Sequence, residues 1–365
     1  HKQGSSSAAQ GRDLSLLCGI FPNMVAKNDG EVGCWPLVAR RLFLQQAPIS
    51  EVICAIRTHA NWTTVELQEC LMHELPLDRA STVSEKYRRG VIKAIIAALD
   101  GYELHEELIA AYIAMPTVPE MSGWSELTFD VPPTPIRVRV GDTIGGGAET
   151  GCVLWPAALF LSAWLWSRVG DFDGQHVLEL GAGCGLVGLV AAQCSQAASV
   201  TLTDFVPQTL ENLEYNAAGL RADGVQGIPD VRVRRLDWNE YACSGCSNID
   251  VADVVIAADL VYDHALLPAL AATIAGLLRE PTASPAASAG GSCGVLNGSQ
   301  SRRALLASER RSDETWEKLE RALRQQHLQW SDRSREGQAA AFCSDCPFFC
   351  QRNQVSRISL LELTL

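Results

Sequence analysis

Apolar side chains in the first third of the chain recur at helical rather than strand spacing. The clearest example is residues 85–113, where Val91 and Ile95 belong to such a repeat. Residues 13–120 contain several patterns of this kind and no strong strand pattern. They therefore predict a helical N-terminal domain. The small, polar residues 1–12 that precede it are expected to be disordered.

Residues 126–142 switch to an alternation of apolar and polar side chains. Two short alternating runs are separated by Pro132, Pro133 and Pro135. A spacing of two places every second side chain on one face of a strand, and proline interrupts such a run. The pattern predicts a hairpin or a pair of strands.

From residue 152 onward, short apolar runs alternate with helical patterns. The predicted strands are residues 176–180, 199–203, 231–236, 251–257 and 303–308, with two more within 342–365. The predicted helices are residues 154–169, 185–194, 207–220, 265–279 and 313–326. Such alternation is typical of a doubly wound parallel sheet in an α/β fold. Residues 281–299, rich in Pro, Ala, Ser and Gly, are expected to be a disordered, low-complexity insertion.

The composition is that of an ordinary globular protein, and it narrows the expected partners. Of the 365 residues, 47% are hydrophobic and 20% are charged, and the formal net charge is -12. The acidic balance argues against a chain-wide preference for nucleic acid, so we expect no direct nucleic-acid binding. Because no charge-free apolar run is long enough for a transmembrane helix, we expect no membrane partner either.

Thirteen cysteines are a high and odd number for this chain. Several of them, including Cys152, Cys184 and Cys194, lie within apolar runs. Such positions are typical of small core residues in a reducing compartment. We therefore expect a cytoplasmic protein.

Two cysteine clusters have the residue types of a zinc site. Cys243 and Cys246 form one C-x-x-C pair, and Cys343 and Cys346 form another with Cys350 nearby. The long gap between the pairs is not a zinc-finger spacing, so free thiols are favoured. We expect no metal ligand.

The strongest motif is a glycine-rich turn that follows the strand predicted at 176–180. Glu179 precedes Gly181, Gly183 and Gly185, with single residues between them. Glycines at this spacing let a cofactor approach the backbone and let the turn adopt positive φ. Two alternatives stay open, because the same turn fits the G-x-G-x-x-G pattern of dinucleotide sites and can also be purely structural.

Acidic side chains around this turn favour S-adenosylmethionine over a dinucleotide. Glu179 stands two residues before the first glycine, and Asp204 ends the next strand, where it can accept hydrogen bonds from both ribose hydroxyls. NAD enzymes use an acid there too, so Asp204 alone does not discriminate. Asp237 offers an acceptor for the adenine amine, and Trp238 offers an aromatic face. The alternative for Trp238 is a plain core tryptophan.

A second strong element follows the strand predicted at 251–257. That apolar run leads into Asp259, and Tyr262 follows three residues later. Open α/β sheets place ligands at the carboxyl edge of their strands. A carboxyl group among apolar residues is costly unless it is used or paired, which marks Asp259 as a candidate. The alternative is a carboxylate that caps the next helix.

Together these motifs resemble the seven-β-strand, or class I, protein-lysine methyltransferases. Those enzymes carry a D/E-x-x-Y motif after strand four, which matches Asp259 and Tyr262. Thr150 to Trp155 also resembles their T-G-x-x-x-W segment. The resemblance covers residues 126–365 apart from the insertion. The long helical N-terminal region is similar, within this family, to the elongation-factor-2 lysine methyltransferases.

The resemblance implies a Rossmann-like methyltransferase domain at 126–365, with a seven-stranded, mostly parallel sheet. It implies S-adenosylmethionine as the cofactor and a protein as the substrate, with a translation elongation factor, elongation factor 2, as the candidate. The residues that it places around the cofactor are Trp155, Gly181, Ala182, Gly183, Asp204, Trp238 and Ala258. Asp259 and Tyr262 are the implied catalytic residues, bordering the channel for the substrate lysine.

Three rival functions remain at this stage, one of which is methyl transfer to RNA or a small molecule instead of a protein. A nicotinamide-dependent oxidoreductase uses the same kind of glycine turn, and a non-catalytic methyltransferase fold can serve as an interaction module. The acids at positions 179, 204, 237 and 259 count against the module. The chain lacks an Asn/Asp-Pro-Pro-Tyr/Phe sequence after strand four, which argues against methyl transfer to a nucleobase amine. His264 is either a base near the channel or, as we favour, a histidine at a helix start.

Overall fold

The structure, a computed structural model, describes residues 35–77, 83–115, 123–141, 150–222, 227–244, 249, 251–279, 302–343 and 345–365. The disorder predicted for residues 1–12 and for the insertion at 281–299 concerns positions outside these ranges.

Helices form the N-terminal part of the described chain. They are α1 (Trp35–Leu44), α2 (Ile49–Arg57), α3 (Val65–Glu74), α4 (Glu85–Ala98) and α5 (Glu106–Ala114). Thr64 and Ser84 begin α3 and α4 by accepting hydrogen bonds from Leu67 N and Tyr87 N, which satisfies backbone donors that a helix start leaves free. The apolar faces of the five helices close around one cluster of buried side chains.

The alternating segment that follows forms the predicted hairpin. Strands β1 (Trp124–Phe129) and β2 (Ile136–Gly141) pair antiparallel in a sheet of their own, with Leu127 opposite Val138. Their buried side chains join the main core beneath.

A second sheet of seven strands forms the centre of the rest of the chain. Its strands are β3 (His176–Leu180), β4 (Ser199–Asp204), β5 (Asp230–Arg235), β6 (Val254–Ala258), β7 (Arg303–Glu309), β8 (Gln329–Asp332) and β9 (Ile358–Thr364). They are ordered β5-β4-β3-β6-β7-β9-β8, and among these seven strands β9 runs opposite to the other six. This topology confirms the prediction of a doubly wound, seven-stranded, mostly parallel sheet.

Helices cover both faces of this sheet. They are α6 (Pro156–Trp166), α7 (Leu186–Cys194), α8 (Pro207–Ala222), α9 (Trp238–Ser244), α10 (Leu267–Arg279), α11 (Asp313–Gln325), α12 (Ser334–Ala341) and α13 (Arg352–Val355). Helices α6 and α7 pack into one apolar cluster, and α10 and α11 into the cluster on the other face. The central strands are therefore buried on both sides, which explains why their sequences are continuous apolar runs.

The prediction of two strands within 342–365 was wrong in one respect. That stretch contains one strand, β9, and its edge partner β8 lies earlier, at Gln329–Asp332. Strand β8 has four residues, none of them buried. A short, exposed edge strand carries no apolar alternation, so its sequence gives no strand signal.

The helical N-terminal part contacts the C-terminal part of the chain through hydrogen bonds. The Gln45 side-chain amide donates to the Pro347 carbonyl at 2.7 Å and accepts from Phe349 N at 2.8 Å. Phe349 also packs against the helical cluster. Among the described helices, none is both long and apolar enough to cross a bilayer.

Candidate active site

A cavity of about 300 Å³ opens where the carboxyl ends of β3, β4 and β6 meet. The chain order of the strands reverses between β3 and β6, and open α/β sheets bind ligands in the crevice at such a point. Residues predicted from the sequence form much of its wall: Trp155, Glu179, Gly181, Ala182, Gly183, Asp204, Trp238, Ala258, Asp259 and Tyr262. The one remaining predicted residue, Asp237, does not line it.

The glycine turn between β3 and α7 has a backbone that other residues adopt only with strain. Gly183 has φ of +56°, and a Cβ atom there would lie 2.8 Å from the carbonyl oxygen of Gly151. Positive φ and the absence of space both exclude a side chain. At Gly183 the turn therefore presents backbone, without a side chain, to the cavity.

Glu179 lies beneath this turn and is buried. Its Oε2 accepts a hydrogen bond from Gly188 N at 2.8 Å, which ties the end of β3 to the first turn of α7. Burial raises the pKa of the Glu179 carboxyl to about 8, and the negative charge of Asp204 adds to the rise, while the Gly188 N–H opposes it. The carboxyl is thus largely protonated at neutral pH.

Asp204 ends β4 with a carboxylate that backbone donors hold in place. Its Oδ1 accepts from Phe205 N at 2.8 Å and from Val206 N at 3.2 Å, and its Oδ2 accepts from Gly183 N at 3.3 Å. Burial raises the pKa of this carboxyl, and the three N–H groups oppose that rise. The result is an oriented acceptor at the cavity wall.

Both interpretations of Trp238 are compatible with its position. Its ring lines the cavity and also packs against the apolar cluster on that side of the sheet. The neighbouring Asp237 points to other partners: its Oδ1 accepts from Asn239 N at 2.9 Å, and its Oδ2 lies 3.8 Å from a guanidinium nitrogen of Arg235. Asp237 therefore holds the start of α9, and its role as an acceptor for the adenine amine stays a prediction.

Asp259 follows β6 with a left-handed backbone, φ being +58°. Its own N–H donates to the Ala307 carbonyl at 2.8 Å. Its Oδ1 accepts from Ser308 Oγ at 3.3 Å and Glu309 N at 3.4 Å, and its Oδ2 accepts from Arg311 Nη2 at 3.0 Å. Burial raises the pKa of the carboxyl, while the Arg311 charge is the largest effect that lowers it.

This geometry separates Asp259 from the helix-cap alternative. Helix α10 begins at Leu267, and the turn before it is held by Asp263, whose Oδ1 accepts from Ala265 N at 2.9 Å. A non-glycine residue at positive φ is uncommon and concentrates at functional sites. Asp259 is thus a strained, buried acid that faces the cavity.

Tyr262 completes this side of the cavity, and its side chain is half-exposed at the rim. Partial burial raises the pKa of its phenol, and the charges of Asp204 and Asp263 raise it further. The hydroxyl therefore stays protonated and can donate a hydrogen bond. His264 does not line the cavity; its ring nitrogens lie 2.7 Å from Thr315 Oγ1 and 2.8 Å from Lys318 Nζ.

The segment that forms much of the cavity wall is also similar to known proteins. Residues 140–287 match the lysine methyltransferase family. This match confirms the family resemblance that the motifs predicted, and it leaves the nicotinamide-dependent oxidoreductase without support. The lysine methyltransferase match spans the glycine turn, the end of β4 and the segment from Asp259 to Tyr262.

Individual lysine methyltransferases match over shorter stretches. The protein-lysine methyltransferase METTL21E of Bos taurus is 35% identical over 135 residues, covering 36% of this chain and 45% of its own. The protein-lysine N-methyltransferase EEF2KMT of Mus musculus is 37% identical over 120 residues, covering 31% and 35%. The calmodulin-lysine N-methyltransferase of Arabidopsis thaliana is 33% identical over 143 residues, covering 38% and 44%. The chain thus spans less than half the length of each of these relatives.

Among solved structures, the chain is similar to P. horikoshii TYW2 in complex with MeSAdo. The TM-score is 0.39 and the sequence identity 10%, over 82% of this chain and 98% of that one.

Among the cavity-wall residues that the sequence analysis did not assign to the site, two carry chemistry of interest. Arg311 lines the cavity, and its guanidinium carbon lies 5.3 Å from the centre of the Trp155 ring. Phe205 also lines the cavity and is half-exposed. Both come just after the carboxyl ends of strands, β7 and β4, and that position was the signal available in the sequence.

The cysteine clusters do not form a recognisable metal centre within the described ranges. Among those residues, no group of three or more His, Cys, Asp or Glu side chains is placed to hold a metal. Cys246 lies outside them. Burial raises the pKa of the Cys346 thiol to about 11, so this thiol is protonated at neutral pH.

Proposed function

We propose that this protein is a class I S-adenosylmethionine-dependent protein-lysine N-methyltransferase. One observation carries the proposal: Asp259 and Tyr262 lie on the wall of the same cavity as the glycine turn and Asp204. A cofactor cleft and a candidate nucleophile-orienting acid therefore share one space. The family match over residues 140–287 supports the same activity.

The residues present fit the cofactor. The cavity volume of about 300 Å³ lies at the lower end of the range for small-molecule sites. The Asp204 carboxylate suits ribose hydroxyls, the Trp238 ring offers a face to adenine, and the glycine turn presents backbone to the methionine end. Ala182, Trp155 and Ala258 supply apolar surface around them.

The chemistry asks mainly for positioning from this chain. When bound, S-adenosylmethionine supplies a methyl group attached to a sulfonium sulfur, and loss of that methyl group leaves a neutral thioether. The accepting lysine must be uncharged, because an ammonium has no lone pair and its reference pKa is about 10.4. Asp259 would orient the amine, and Tyr262 would narrow the channel or hydrogen-bond the nitrogen. Desolvation beside the Tyr262 ring would lower the pKa of the substrate lysine.

We further propose a protein substrate, with elongation factor 2 as the first candidate. The relatives named above include an EEF2KMT and a calmodulin-lysine N-methyltransferase, both named for protein targets or their lysines. The helical region before the methyltransferase segment supports the first of these, because that arrangement is similar to the elongation-factor-2 enzymes.

The domain boundaries are part of this proposal. We assign residues 13–120 to a helical domain and residues 126–365 to the methyltransferase domain. Separate apolar clusters support the division, since the buried side chains of the five N-terminal helices do not mix with those of the two sheet-face clusters.

We also propose a cytoplasmic location. Cys184 and Cys346 are buried and carry free thiols. Buried free thiols are typical of a reducing compartment.

The decisive experiment is to incubate the protein with methyl-labelled S-adenosylmethionine and cell extract, then with purified elongation factor 2. We expect label on a lysine of a protein, with the Asp259→Asn variant as the inactive control. Tight cofactor binding without transfer to any protein would overturn the proposal in favour of a non-catalytic interaction module. Transfer only to small molecules or RNA would overturn the substrate class.

A further inference from the structure

We propose that Arg311 is a positioning residue for methyl transfer. Its ion pair with Asp259 and its stacking on Trp155 fix the orientation of the Asp259 carboxylate, which faces the substrate amine. The positive charge of Arg311 also balances the charge of that carboxylate. This inference rests on the proposed function and deepens it. Neither the family motif nor the sequence analysis includes Arg311.

The Arg311 guanidinium contacts two carboxylates, those of Asp259 and Glu309. Nη2 lies 3.0 Å from Asp259 Oδ2, and Nε lies 3.3 Å from Glu309 Oε2. The other oxygen of Glu309 lies 3.2 Å from Arg357 Nη1. The guanidinium is thus held at two of its nitrogens by two carboxylates, one of which is itself anchored to the segment before β9. An arginine is better suited to this than a lysine because its donors form a rigid fork.

Stacking on Trp155 links this ion pair to a second segment of the cavity lining. The guanidinium carbon lies 5.3 Å from the ring centre, within the range of a cation–π contact. Trp155 immediately precedes α6, whereas Arg311 lies between β7 and α11. The Arg311 side chain therefore connects two segments that line the cavity.

Charge balance gives this arrangement a chemical role. An unpaired Asp259 carboxylate beside a lysine would stabilise the ammonium form, which cannot accept a methyl group. The positive charge of Arg311 offsets that carboxylate and disfavours a second cation nearby. Asp259 can then accept a hydrogen bond from the neutral amine without raising the pKa of the lysine.

Other titratable groups near Asp259 do not supply the same balance. Ser308 and the Glu309 N–H hold Oδ1, and both are neutral. Among the described residues, the other charged or titratable groups that contact this pair or share the cavity wall are Glu179 on β3, Cys184 in the glycine turn, Asp204 on β4, Tyr262 after β6, Glu309 on β7 and, through Glu309, Arg357 before β9. Among these, Arg311 is the cation in direct contact with the Asp259 carboxylate.

The first test measures Asp259 itself and does not depend on activity. Carbon-13 NMR titration of the aspartate carboxyls compares the wild type with Arg311→Gln. Since Arg311 is the largest effect that lowers the pKa of Asp259, its removal should move the Asp259 midpoint upward. The matched control is Arg310→Gln, because Arg310 is a neighbouring arginine that pairs with Asp313 at 3.0 Å and does not line the cavity. An unchanged midpoint in Arg311→Gln would overturn the inference, whatever the enzyme does.

The second test measures turnover as a function of pH at saturating cofactor. With Arg311→Gln, kcat should fall about tenfold at neutral pH and recover in part at higher pH, because the acidic limb of the profile moves upward. Arg311→Lys keeps the charge but not the fork, so its limb should stay in place while kcat falls by less. A uniform loss at every pH would indicate a merely structural residue and overturn the inference.

Melting temperatures and cofactor affinities of the variants are measured first. If Arg311→Gln does not fold, Arg311→Lys carries the test by itself, and a wild-type kcat in that variant would defeat the inference. A wild type that transfers no methyl group to any protein would instead refute the proposed function. The NMR titration then still decides whether Arg311 controls the charge of Asp259.

Discussion

Asp204 Oδ2 accepts a hydrogen bond from Gly183 N at 3.3 Å, so the acid that ends β4 also holds the glycine turn that follows β3. The two residues lie at the adjacent ends of neighbouring parallel strands. Ligand binding at Asp204 and the shape of the glycine turn are therefore coupled, and variants at either position report on the same site.

Asp204→Ala should weaken S-adenosylmethionine binding by at least about tenfold. Hydrogen bonds to a charged group contribute about 1.5–3 kcal/mol each, before non-additivity. The substitution also removes the acceptor for Phe205 N and Val206 N, so the melting temperature should fall as well. Asp204→Asn is the matched variant, because its side-chain oxygen can still accept from those N–H groups. Isothermal calorimetry on both proteins measures the affinity, and wild-type affinity in Asp204→Ala would exclude this acid from the ribose site.

Gly183→Ala should damage both the fold of the turn and cofactor binding. Its Cβ would lie 2.8 Å from the Gly151 carbonyl oxygen, at a φ of +56° that L-residues rarely adopt. We expect a loss of about 1–3 kcal/mol of unfolding free energy and no measurable binding at concentrations that saturate the wild type.

Gly219→Ala is the control for that experiment. Gly219 lies in α8, is exposed, and has no atom near the position of a Cβ. Alanine there should raise stability by about 0.5–1 kcal/mol, because it favours the helix and restricts the unfolded chain. Denaturant unfolding of both variants separates the two outcomes. Equal stability changes would show that Gly183 has no special geometry.

Asp259→Asn should reduce methyl transfer by about 100-fold with little change in cofactor affinity, because positioning of the nucleophile dominates this reaction. Asparagine is preferable to alanine here, since it tolerates the left-handed backbone at φ of +58°. Single-turnover kinetics at saturating cofactor, on a protein substrate, provide the measurement. A wild-type rate would leave Asp259 with a structural role only.

Tyr262→Phe should be milder than the Asp259 variant. It removes a protonated hydroxyl at the cavity rim while retaining the ring that lines the wall. We expect a reduction in rate of about tenfold or less, together with a changed distribution of mono-, di- and trimethylated product. Mass spectrometry of the product peptide measures that distribution. Unchanged rate and distribution would assign the hydroxyl no part in transfer.

The stability of the protein should depend on pH through Glu179. The pKa of this carboxyl is raised from 4.5 to about 8 in the folded chain, mainly by burial. The folded state therefore binds one more proton than the unfolded state between these values, so the contribution of Glu179 to stability is greatest below about pH 4.5 and declines as the pH rises through 8.

Glu179→Gln tests that assignment. Glutamine retains an oxygen that can accept from Gly188 N, yet it cannot ionise. Its stability advantage over the wild type should therefore widen between pH 5 and pH 8, as followed by chemical unfolding at several pH values. A difference that stays constant across this range would show that Glu179 titrates normally.

Most of the sheet could be predicted because its signals are local. The strands at β3, β4, β6 and β7 are apolar runs bounded by turns, and the glycine turn has its own spacing. Asp204 and Asp259 could be predicted as site residues for a related reason. In a parallel sheet, residues just beyond the carboxyl ends of strands converge at one edge. Strand β8 could not be predicted, because an exposed four-residue edge strand leaves no pattern in the chain.

What the sequence by itself determined is the doubly wound sheet and the identity of the acids at its carboxyl edge, since these follow from periodicity and motif spacing, together with a family resemblance carried by the motifs. Tertiary structure decided which side chains meet. Asp237 accepts a hydrogen bond from Asn239 N, whereas Arg311 reaches Asp259 across 52 positions of the chain. Contacts of that kind depend on how β7 lies beside β6 and on the direction that each side chain takes. The spacing of residues along one segment determines neither the placement of the strands nor the directions of the side chains.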